Sequence, residues 1–328
     1  MRDVLAIARY WAAKAEDASR IFGSPIRIDA AQSIDRGSEF ARHSPGLWSA
    51  NRHARMVRAL DGWLAVNLAR SEDRTLLPAW LEREIDDEPW QTVVSFARQR
   101  RQADLLARAR LLGLPVSIVG EVAAAEPIIS HRLGVQRPRY RRLRVIDLTS
   151  LWAGPLCTAL LARAGMEVVR YEDPSRPDST KHVAPRFHER LNGAKKSVAM
   201  AFGSVELADA IADADVVVTN SRQRAFAAVG LSPYTMFARN PGLIWIAISG
   251  HGWTGEMSDR VAFGDDAAAA GGLVRWTSGR APRFIGDALA DPLAGLAAAS
   301  AAMRAVAEGG GVLLDIALSR VTSHKPDA

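Results

Sequence analysis

Cysteine is almost absent from this chain of 328 residues, because Cys157 is the only one. A lone cysteine excludes a disulfide framework and a cysteine-rich zinc site. Long apolar runs are absent as well, since no uncharged stretch reaches the ~18 residues needed to span a bilayer. The start of the chain mixes charged with apolar side chains, which is unlike a secretory signal peptide. These absences predict a soluble, cytoplasmic protein that does not enter a membrane.

An excess of charge of one sign is also missing. The chain has 42 Lys and Arg against 36 Asp and Glu, a formal net charge of +6, and the arginines are scattered. A nucleic-acid-binding protein gathers its basic residues on one face or stripe, so nucleic acid is not a predicted partner. The seven histidines lack the spacing of metal ligands, and we expect no metal site. A mildly basic surface does suit a ligand that carries phosphates.

What the chain does contain is a short βαβ pattern between Arg144 and Glu172. An apolar run at its start predicts a buried parallel strand, and Pro155 suits the first turn of the helix that follows. Gly165 ends that helix before a second apolar run. Neither G-x-G-x-x-G nor G-x-x-x-x-G-K-[ST] occurs in the connecting loop. The signatures of dinucleotide and nucleoside triphosphate binding are therefore missing from the place they should occupy.

Strand and helix patterns continue to alternate toward the C-terminus. Alternation of this kind predicts an α/β fold with a doubly wound, Rossmann-like parallel sheet. The predicted strands are 144–148, 166–171, 196–200, 215–219, 243–248 and 312–317. The predicted helices are 154–164, 204–213, 222–230, 232–239, 265–274 and 291–307.

The N-terminal part of the chain predicts a different organisation. Residues 1–40 form a polar, amphipathic segment, and residues 41–136 predict a smaller α/β or α+β lobe of short strands and helices. A basic, proline-containing linker at 137–143 leads to the Rossmann-like domain at 144–328. The predicted architecture is therefore a Rossmann-like, ligand-binding domain preceded by a smaller lobe.

Several sequence blocks resemble one enzyme family in content and order. Asp147–Pro155 reads D-L-T-x-x-x-A-G-P, and Leu191–Met200 follows the pattern L-N-x-x-K-x-S-V. Ala214–Arg222 resembles A-D-V-x-x-x-N-x-R, and Asn240–Gly255 resembles N-P-x-L-I-x-x-x-I-S-G-x-G-x-T-G. Such blocks are typical of the family III CoA-transferases, a group that includes formyl-CoA transferase, carnitine CoA-transferase and alpha-methylacyl-CoA racemase.

The resemblance implies an enzyme that uses an acyl-CoA and a carboxylic acid acceptor, with coenzyme A as part of the substrate. It implies that an aspartate attacks the thioester to form a mixed anhydride, after which the thiolate is exchanged. It also implies a homodimer of interlocked chains, or completion by a partner chain. The small lobe precedes the nucleotide-fold domain here, whereas it follows in ordinary members, so the order resembles a circular permutation.

The family's catalytic aspartate has no direct counterpart in this chain. The matching stretch is Arg260–Gly272, and counting without a gap from either end places the catalytic position at Gly264. Asp265 and Asp266 follow immediately, so the nucleophile is displaced by one residue or lost. Either carboxylate also suits the N-terminal cap of the next helix. We favour Asp265 as the nucleophile, because it needs the smaller shift, and Asp266 as the cap.

A further catalytic candidate is His251, in a glycine-rich loop that follows a predicted strand. It is either a general base or a substitute for an aromatic wall residue. The remaining candidates are expected to contact coenzyme A through the entry loop, cationic side chains and close backbone approach. They are Ser150, Leu151, Trp152, Ala153, Lys195, Lys196, Asn220, Arg222, Gly250 and Gly252.

Three functions remain open from the sequence. A CoA-transferase needs one carboxylate nucleophile, whereas an acyl-CoA racemase or epimerase needs an acid–base pair flanking the α-carbon, for which His251 and an aspartate are candidates. The third is a non-catalytic CoA-binding homologue or subunit, because glycine occupies the catalytic position. Acyl transfer that depends on Asp265 or Asp266 distinguishes the first function from the third.

Overall fold

The computed structural model describes residues 3–22, 25–40, 43–85, 88–122, 124–137 and 142–325. The described strands are β1 (Ala54–Arg58), β2 (Trp63–Asn67), β3 (Val116–Ile118), β4 (Ile128–Arg132), β5 (Arg144–Leu148), β6 (Glu167–Glu172), β7 (Lys196–Ala199), β8 (Val216–Thr219), β9 (Ile244–Ser249), β10 (Arg275–Trp276), β11 (Pro282–Arg283) and β12 (Val312–Ala317). The described helices are α1 (Val4–Ser19), α2 (Ala30–Ser33), α3 (Ser71–Thr75), α4 (Leu77–Leu81), α5 (Pro89–Ala97), α6 (Gln102–Leu112), α7 (Ala153–Arg163), α8 (Thr180–Val183), α9 (Pro185–Asn192), α10 (Val205–Ala212), α11 (Gln223–Ala228), α12 (Pro233–Arg239), α13 (Gly264–Ala270), α14 (Ala290–Ala307) and α15 (Leu318–Ser323).

Seven of the described strands build a large sheet in the order β4-β12-β9-β8-β5-β6-β7. Neighbours from β12 to β7 are parallel, and β4 joins β12 antiparallel at one edge. The parallel strands are those that the sequence predicts, including 196–200 and 215–219. From β5 the chain adds β6 and β7 on one side, and then returns to place β8, β9 and β12 on the other. The predicted doubly wound parallel sheet is confirmed.

Continuous apolar side chains explain why the central segments are strands. β8 reads Val-Val-Val-Thr and β9 reads Ile-Trp-Ile-Ala-Ile-Ser, and nearly every residue in both is buried. A parallel sheet is covered by helices on both faces, so its strands lose the polar alternation of a half-exposed sheet. The edge strand β4 is only partly buried, and its short, mixed sequence was not predicted as a strand.

The alanine-rich helix α14 lies at the centre of the large domain. Nearly all of its residues are buried, and it packs against α1 and α7. The sequence predicts residues 1–40 as a separate polar segment, yet Ile7, Trp11 and Ala15 of α1 belong to the core of the large domain. An amphipathic helix buries an apolar stripe and exposes its charged face, so its composition reads as polar.

The strands β1, β2 and β3 form a separate antiparallel sheet. Helices α4, α5 and α6 pack around Trp80 on one face of this sheet. The other face packs on α13 through Met56, Ala65 and Ala269, which brings the end of β2 to the start of α13. The strand β4 lies inside the predicted 41–136 lobe but belongs to the large sheet. The domain limits themselves stay predictions.

None of the described helices is long and apolar enough to cross a membrane.

Candidate active site

The strand order of the large sheet reverses between β5 and β8, which lie side by side. The chain leaves β5 toward one side and β8 toward the other, so the loops after them open a crevice at the carboxyl ends of the strands. Asn220, in the loop after β8, bonds to Ser150 in the loop after β5. Its Nδ2 donates to the carbonyl of Ser150 (2.8 Å), and its Oδ1 accepts from the N–H of Ser150 (3.4 Å).

The crevice at this reversal, called the switch-point cleft below, has a volume of about 300 Å³. Its walls include the loops after β5, β6, β8 and β9, Leu318 at the start of α15, and Arg70 of the small lobe. Eight of the residues predicted to contact CoA line it: Ser150, Leu151, Trp152, Ala153, Asn220, Arg222, Gly250 and Gly252. Segments that are far apart in the sequence therefore meet at one place.

Two arginines give the cleft its available positive charge. Arg176 and Arg222 line the cleft, and neither forms an ion pair with another residue in the described ranges. Arg260 also lines it, but its guanidinium is bound to both carboxylate oxygens of Glu121 (3.0 and 2.7 Å). An unpaired guanidinium is the group that can meet a phosphate with two parallel hydrogen bonds.

The two predicted lysines are placed elsewhere. Lys195 Nζ donates to Asp147 Oδ2 (3.0 Å), to the carbonyl of Pro155 (3.0 Å) and to Asn192 Oδ1 (2.8 Å). These three bonds use all the donors of a buried ammonium group. Lys196 begins the edge strand β7, level with the middle of β6, and lines none of the spaces described here. Neither lysine is therefore retained as a candidate contact for coenzyme A.

The loop after β5 is held in an uncommon conformation. Leu151 has a φ of 71°, which residues other than glycine rarely adopt. Its N–H donates to Asp178 Oδ2 (3.1 Å), and Asp178 is itself bound by Arg170 (3.2 Å). The next residue, Trp152, packs edge-on against Phe187 with the ring centroids 5.4 Å apart. Trp152 is thus a buried wall of the site.

A second space, called the carboxylate cavity below, opens on the small-lobe side of the same loop. It has a volume of about 430 Å³, and Gly264 and Asp265 lie on its wall. The residues that it shares with the switch-point cleft are Arg70, Ser150, Leu151, Trp152, Phe263 and Asp291. The two spaces therefore adjoin at the position that the sequence blocks mark as catalytic.

A third space, of about 410 Å³, lies on the β6 side of the cleft. It shares Ser150, Arg176 and Asn220 with the cleft, and Glu172 and Asp173 at the end of β6 contribute to its wall. The three spaces adjoin one another along the carboxyl edge of the sheet. Their row suits a ligand that is long and narrow.

Asp265 presents a buried carboxylate to the carboxylate cavity. Its Oδ1 accepts from the N–H of Ala288 (2.8 Å), and its Oδ2 accepts from Asn51 Nδ2 (3.3 Å). Burial raises the pKa of Asp265 to about 6, and repulsion from Asp287 contributes. The group is still largely ionised at neutral pH, as a carboxylate nucleophile must be.

Asp266 lines none of these spaces and caps α13 instead. Its Oδ1 accepts from the N–H of Phe263 (3.0 Å) and from Asn67 Nδ2 (2.9 Å). Burial raises the pKa of Asp266 to about 8, so its carboxyl group is mostly protonated at neutral pH. The predicted capping role is seen, and Asp266 is removed from the catalytic candidates.

Asp266→Asn is expected to raise stability at pH 8 and to have little effect at pH 4, because asparagine keeps an oxygen for Phe263 and Asn67. In the parent, the folded state holds the proton of Asp266 up to about pH 8, whereas an unfolded aspartate releases it near pH 4. The stability that this proton gives is present below about pH 4 and is lost as the pH rises toward 8.

Thermal melts between pH 4 and pH 8 test this expectation. The Tm of Asp266→Asn should climb above that of the parent by several degrees across the range. Asp266→Ala, which removes the cap, should melt below Asp266→Asn at every pH. A difference between Asp266→Asn and the parent that does not change with pH would contradict the protonation state described here.

Close packing explains the glycine at position 264, where the resemblance to the family places an aspartate. A Cβ at position 264 would lie 2.4 Å from the carbonyl oxygen of Ala288 and 2.7 Å from its carbonyl carbon. Ala288 itself has a φ of 47°, in the turn before α14. The volume that an aspartate side chain would need at Gly264 is filled by backbone, and backbone cannot yield as a flexible side chain can.

His251 is a poor candidate for a general base. The residue is 5% exposed and lines none of the three spaces. Burial lowers the pKa of His251 to about 3, and the nearby Arg260 and Arg320 contribute. A base with so low a pKa accepts protons weakly at neutral pH. His251 does not act as a wall residue of these spaces either, and its Nε2 lies 3.5 Å from Ser117 Oγ, so the catalytic candidacy of His251 is withdrawn.

Side chains from the N-terminal segments complete the site, and the sequence did not identify them. Arg36 binds Asp287 through two nitrogens, with Nε 2.7 Å from Oδ2. Asn51 stands between Asp265 and Asp287, and Asn67 reaches the start of α13. A polar residue at the end of a buried strand was a usable signal for Asn67. Arg36 and Asn51 lie in irregular segments, so only long-range packing reveals them.

No three His, Cys, Asp or Glu side chains are arranged to hold a metal ion within the part of the chain that the structure describes.

Comparison with known families identifies the family to which the chain belongs. Residues 141–324 match the sequence model of CoA-transferase family III. The chain belongs to CoA-transferase family III. The match covers more than half of the chain and includes every parallel strand of the large sheet. The resemblance predicted from the sequence blocks is therefore confirmed.

Relatives of this family III chain include named CoA-transferases. The chain is 33% identical over 193 residues to succinyl-CoA–D-citramalate CoA-transferase of Chloroflexus aurantiacus, which covers 54% of the chain and 48% of the relative. It is 30% identical over 190 residues to succinyl-CoA:glutarate CoA-transferase of Homo sapiens, which covers 53% of the chain and 43% of the relative. The chain thus spans about half the length of the curated relatives it matches.

A solved structure shows the same partial coverage. The crystal structure of a hypothetical protein from Mycobacterium tuberculosis aligns with this family III chain at a TM-score of 0.50 and 26% identity, over 58% of this chain and 57% of the other.

Proposed function

We propose that this chain binds acyl-CoA and transfers CoA between carboxylic acids, with Asp265 as the nucleophile. The observation that supports this best is the position of the Asp265 carboxylate. It follows the family's catalytic position by one residue, and it lies on the wall of the carboxylate cavity, which adjoins the switch-point cleft. Its pKa of about 6 leaves it ionised at neutral pH. Family membership supplies the reaction class.

The proposed reaction has four steps, each of which makes and breaks one bond at a carbonyl carbon. The Asp265 carboxylate attacks the thioester and expels CoA thiolate, which leaves a mixed anhydride. The thiolate attacks the aspartyl carbonyl, which releases the first carboxylic acid and leaves an aspartyl-CoA thioester. The acceptor carboxylate attacks that thioester and expels thiolate again. The thiolate finally attacks the acceptor's acyl carbon and returns Asp265 as a free carboxylate.

We place CoA along the row of adjoining spaces. The phosphates lie in the switch-point cleft near Arg176 and Arg222, whose guanidinium groups are unpaired among the described residues. The thioester lies toward Asp265, where the cleft and the carboxylate cavity share Leu151 and Phe263. This placement keeps the anionic part of CoA away from the carboxylate nucleophile.

Arg222→Ala is expected to weaken CoA binding about tenfold, the loss of roughly 1.4 kcal/mol, because a charge-assisted contact to phosphate is removed. Added salt should weaken binding to the parent more than to the variant, since phosphate pairing is screened. Titration calorimetry measures both effects. Arg224→Ala is the matched control, because it removes the same charge two residues along, in α11 and outside the cleft. Equal CoA affinities for parent and Arg222→Ala would remove Arg222 from the site.

A CoA-binding homologue without turnover is the second candidate. Gly264 favours it, because the contact with Ala288 prevents a carboxylate at the family position. Mass spectrometry of the chain incubated with an acyl-CoA and trapped with hydroxylamine separates the candidates. A hydroxamate on Asp265 supports the transferase, and CoA binding without any label supports the second candidate. Two observations count against the racemase alternative: His251 lines none of the three spaces, and burial lowers its pKa to about 3.

We also propose that the chain acts as a homodimer or with a partner chain. We further propose that the sequence-derived limits at 41–136 and 144–328 separate its lobes, with the exception of β4, which pairs in the large sheet. Family membership supports the oligomer, and the separate sheet of β1, β2 and β3 supports the division into lobes. Light scattering at micromolar concentration is expected to give twice the chain mass of 35.5 kDa. A monomer of the chain mass under those conditions would remove the homodimer from the proposal.

A further inference from the structure

We propose that the carboxylate cavity accepts acyl groups that carry no charge of their own, and that it excludes acyl groups ending in a second carboxylate. This inference rests on the proposed function, because it assumes that the acyl group of the bound thioester enters the cavity beside Asp265. The two relatives described above are named for succinyl-CoA, whose acyl group does end in a carboxylate. We therefore expect this chain to differ from those two relatives in the acyl group that it binds.

The first cation on the cavity wall, Arg36, is already neutralised. Its Nε and Nη2 both donate to the carboxylate of Asp287. The rings of Phe40 and Trp152 lie 4.3 and 5.4 Å from its guanidinium carbon. The guanidinium is thus held by a two-nitrogen ion pair and by two aromatic contacts, which fix its orientation. A second carboxylate at Arg36 would have to compete with Asp287.

Arg70 and His53 are the other bases on the described part of the wall. The Nε and Nη2 of Arg70 both donate to Asp73, with the Nε contact at 2.9 Å. Burial lowers the pKa of His53, and Arg74 and Arg36 lower it further, so the imidazole is neutral at pH 7. Every positive charge on the described wall therefore has a partner.

Carboxylates on the wall are in excess. Asp178 is paired with Arg170 at 3.2 Å. Asp265 and Asp291 have no such cationic partner within the described ranges. Burial raises the pKa of Asp291 to about 7 against the opposing field of Arg36, so this group is partly ionised at neutral pH. An acyl carboxylate entering the cavity would meet like charge in a space with little water to screen it.

The remaining wall is apolar and aromatic. Phe40, Trp152, Val183, Phe187 and Phe263 contribute to it, and the volume of about 430 Å³ is sufficient for a branched or aromatic acyl group. Binding of such a group is stabilised because its apolar surface leaves water. A carboxylate in the same place loses its hydration without gaining a cation. The cavity volume is sufficient for both kinds of acyl group, and the charges on its wall favour the uncharged kind.

Titration calorimetry on the full chain with CoA, butyryl-CoA and succinyl-CoA tests the inference. The two thioesters have acyl chains of equal length and differ by the terminal carboxylate. The Kd of butyryl-CoA is expected to be at least about tenfold lower than that of succinyl-CoA, with the phosphate contacts common to both. A succinyl-CoA Kd equal to or below that of butyryl-CoA overturns the inference.

Asp287→Asn provides a second measurement, because it removes the charge that neutralises Arg36. The ratio of the succinyl-CoA Kd to the butyryl-CoA Kd is expected to fall about tenfold in this variant. Asp209→Asn is the matched control. It frees Arg239 from an exposed ion pair of 2.7 Å outside the three spaces, and it should leave the ratio unchanged. An unchanged ratio in a folded Asp287→Asn would contradict the inference.

Failure of the inference and failure of the proposed function give different results. A parent that binds none of the three ligands lacks the CoA site, so both proposals fall. A parent that binds CoA, and binds both thioesters equally well, keeps the CoA site and overturns only the inference. If Asp287→Asn does not fold, the comparison of the two thioesters in the parent decides.

Discussion

Asp265→Ala is expected to lower the rate of CoA transfer by on the order of 10⁴-fold or more, because it removes the atom that forms the covalent intermediate. The fold should survive, since the described contacts of the carboxylate are hydrogen bonds from Ala288 and Asn51. Initial rates with butyryl-CoA and a free acid measure the effect. In the parent, the rate should rise through about pH 6 and level off above it, because Asp265 ionises there.

Asp291→Asn is the matched control for this experiment. It removes a second carboxyl group from the same cavity, one whose pKa burial raises to about 7. We expect it to keep most of the rate, because Asp291 is absent from the proposed steps. Full rate in Asp265→Ala together with loss of rate in Asp291→Asn would transfer the nucleophile to Asp291. Full rate in both variants would place it outside the cavity.

Lys195→Ala is expected to destabilise the chain by about 3–5 kcal/mol, because it leaves the Asp147 charge buried without its partner. Burial alone would raise the pKa of Asp147, but Lys195 and hydroxyl donors pull it below its ordinary range. In the variant the Asp147 carboxylate stays buried but no longer has the Lys195 ammonium group beside it. Thermal or urea unfolding measures the loss, and the Tm should fall by on the order of ten degrees.

Lys196→Ala is the natural control, since it is the adjacent lysine on the exposed side of β7. It should change the Tm by a degree or less, because exposed charges contribute little. A double variant, Lys195→Met with Asp147→Asn, should recover much of the loss because it removes both buried charges. Equal effects of Lys195→Ala and Lys196→Ala would contradict the burial described for Lys195.

The parallel sheet could be predicted because its strands are continuous apolar runs separated by turn residues. β8 and β9 are buried on both faces, so their sequences identify them without knowledge of their neighbours. β4 could not be found in this way. It pairs with β12 at an edge and is only partly buried, and its place depends on a strand that is about 180 residues away in the sequence.

The site residues in loops that follow strands could be predicted. Those whose side-chain direction depends on burial could not. Ser150, Asn220 and Arg222 follow strands at the reversal of the sheet, so topology alone brings them together. Lys195 belongs to the block at Leu191–Met200 that resembles the family, but its ammonium group turns inward to Asp147. A sequence pattern shows that a lysine is present and does not show which way its side chain faces.

The contact between Gly264 and Ala288 also limits how this site can evolve. An aspartate introduced at position 264 would collide with the turn at Ala288. A change that moved the turn away first would withdraw the N–H that Ala288 donates to Asp265. Either change alone is therefore expected to be harmful, although both together would make room for a carboxylate at position 264. The two positions therefore show sign epistasis, and Gly264 and Asp265 are expected to be retained or replaced together.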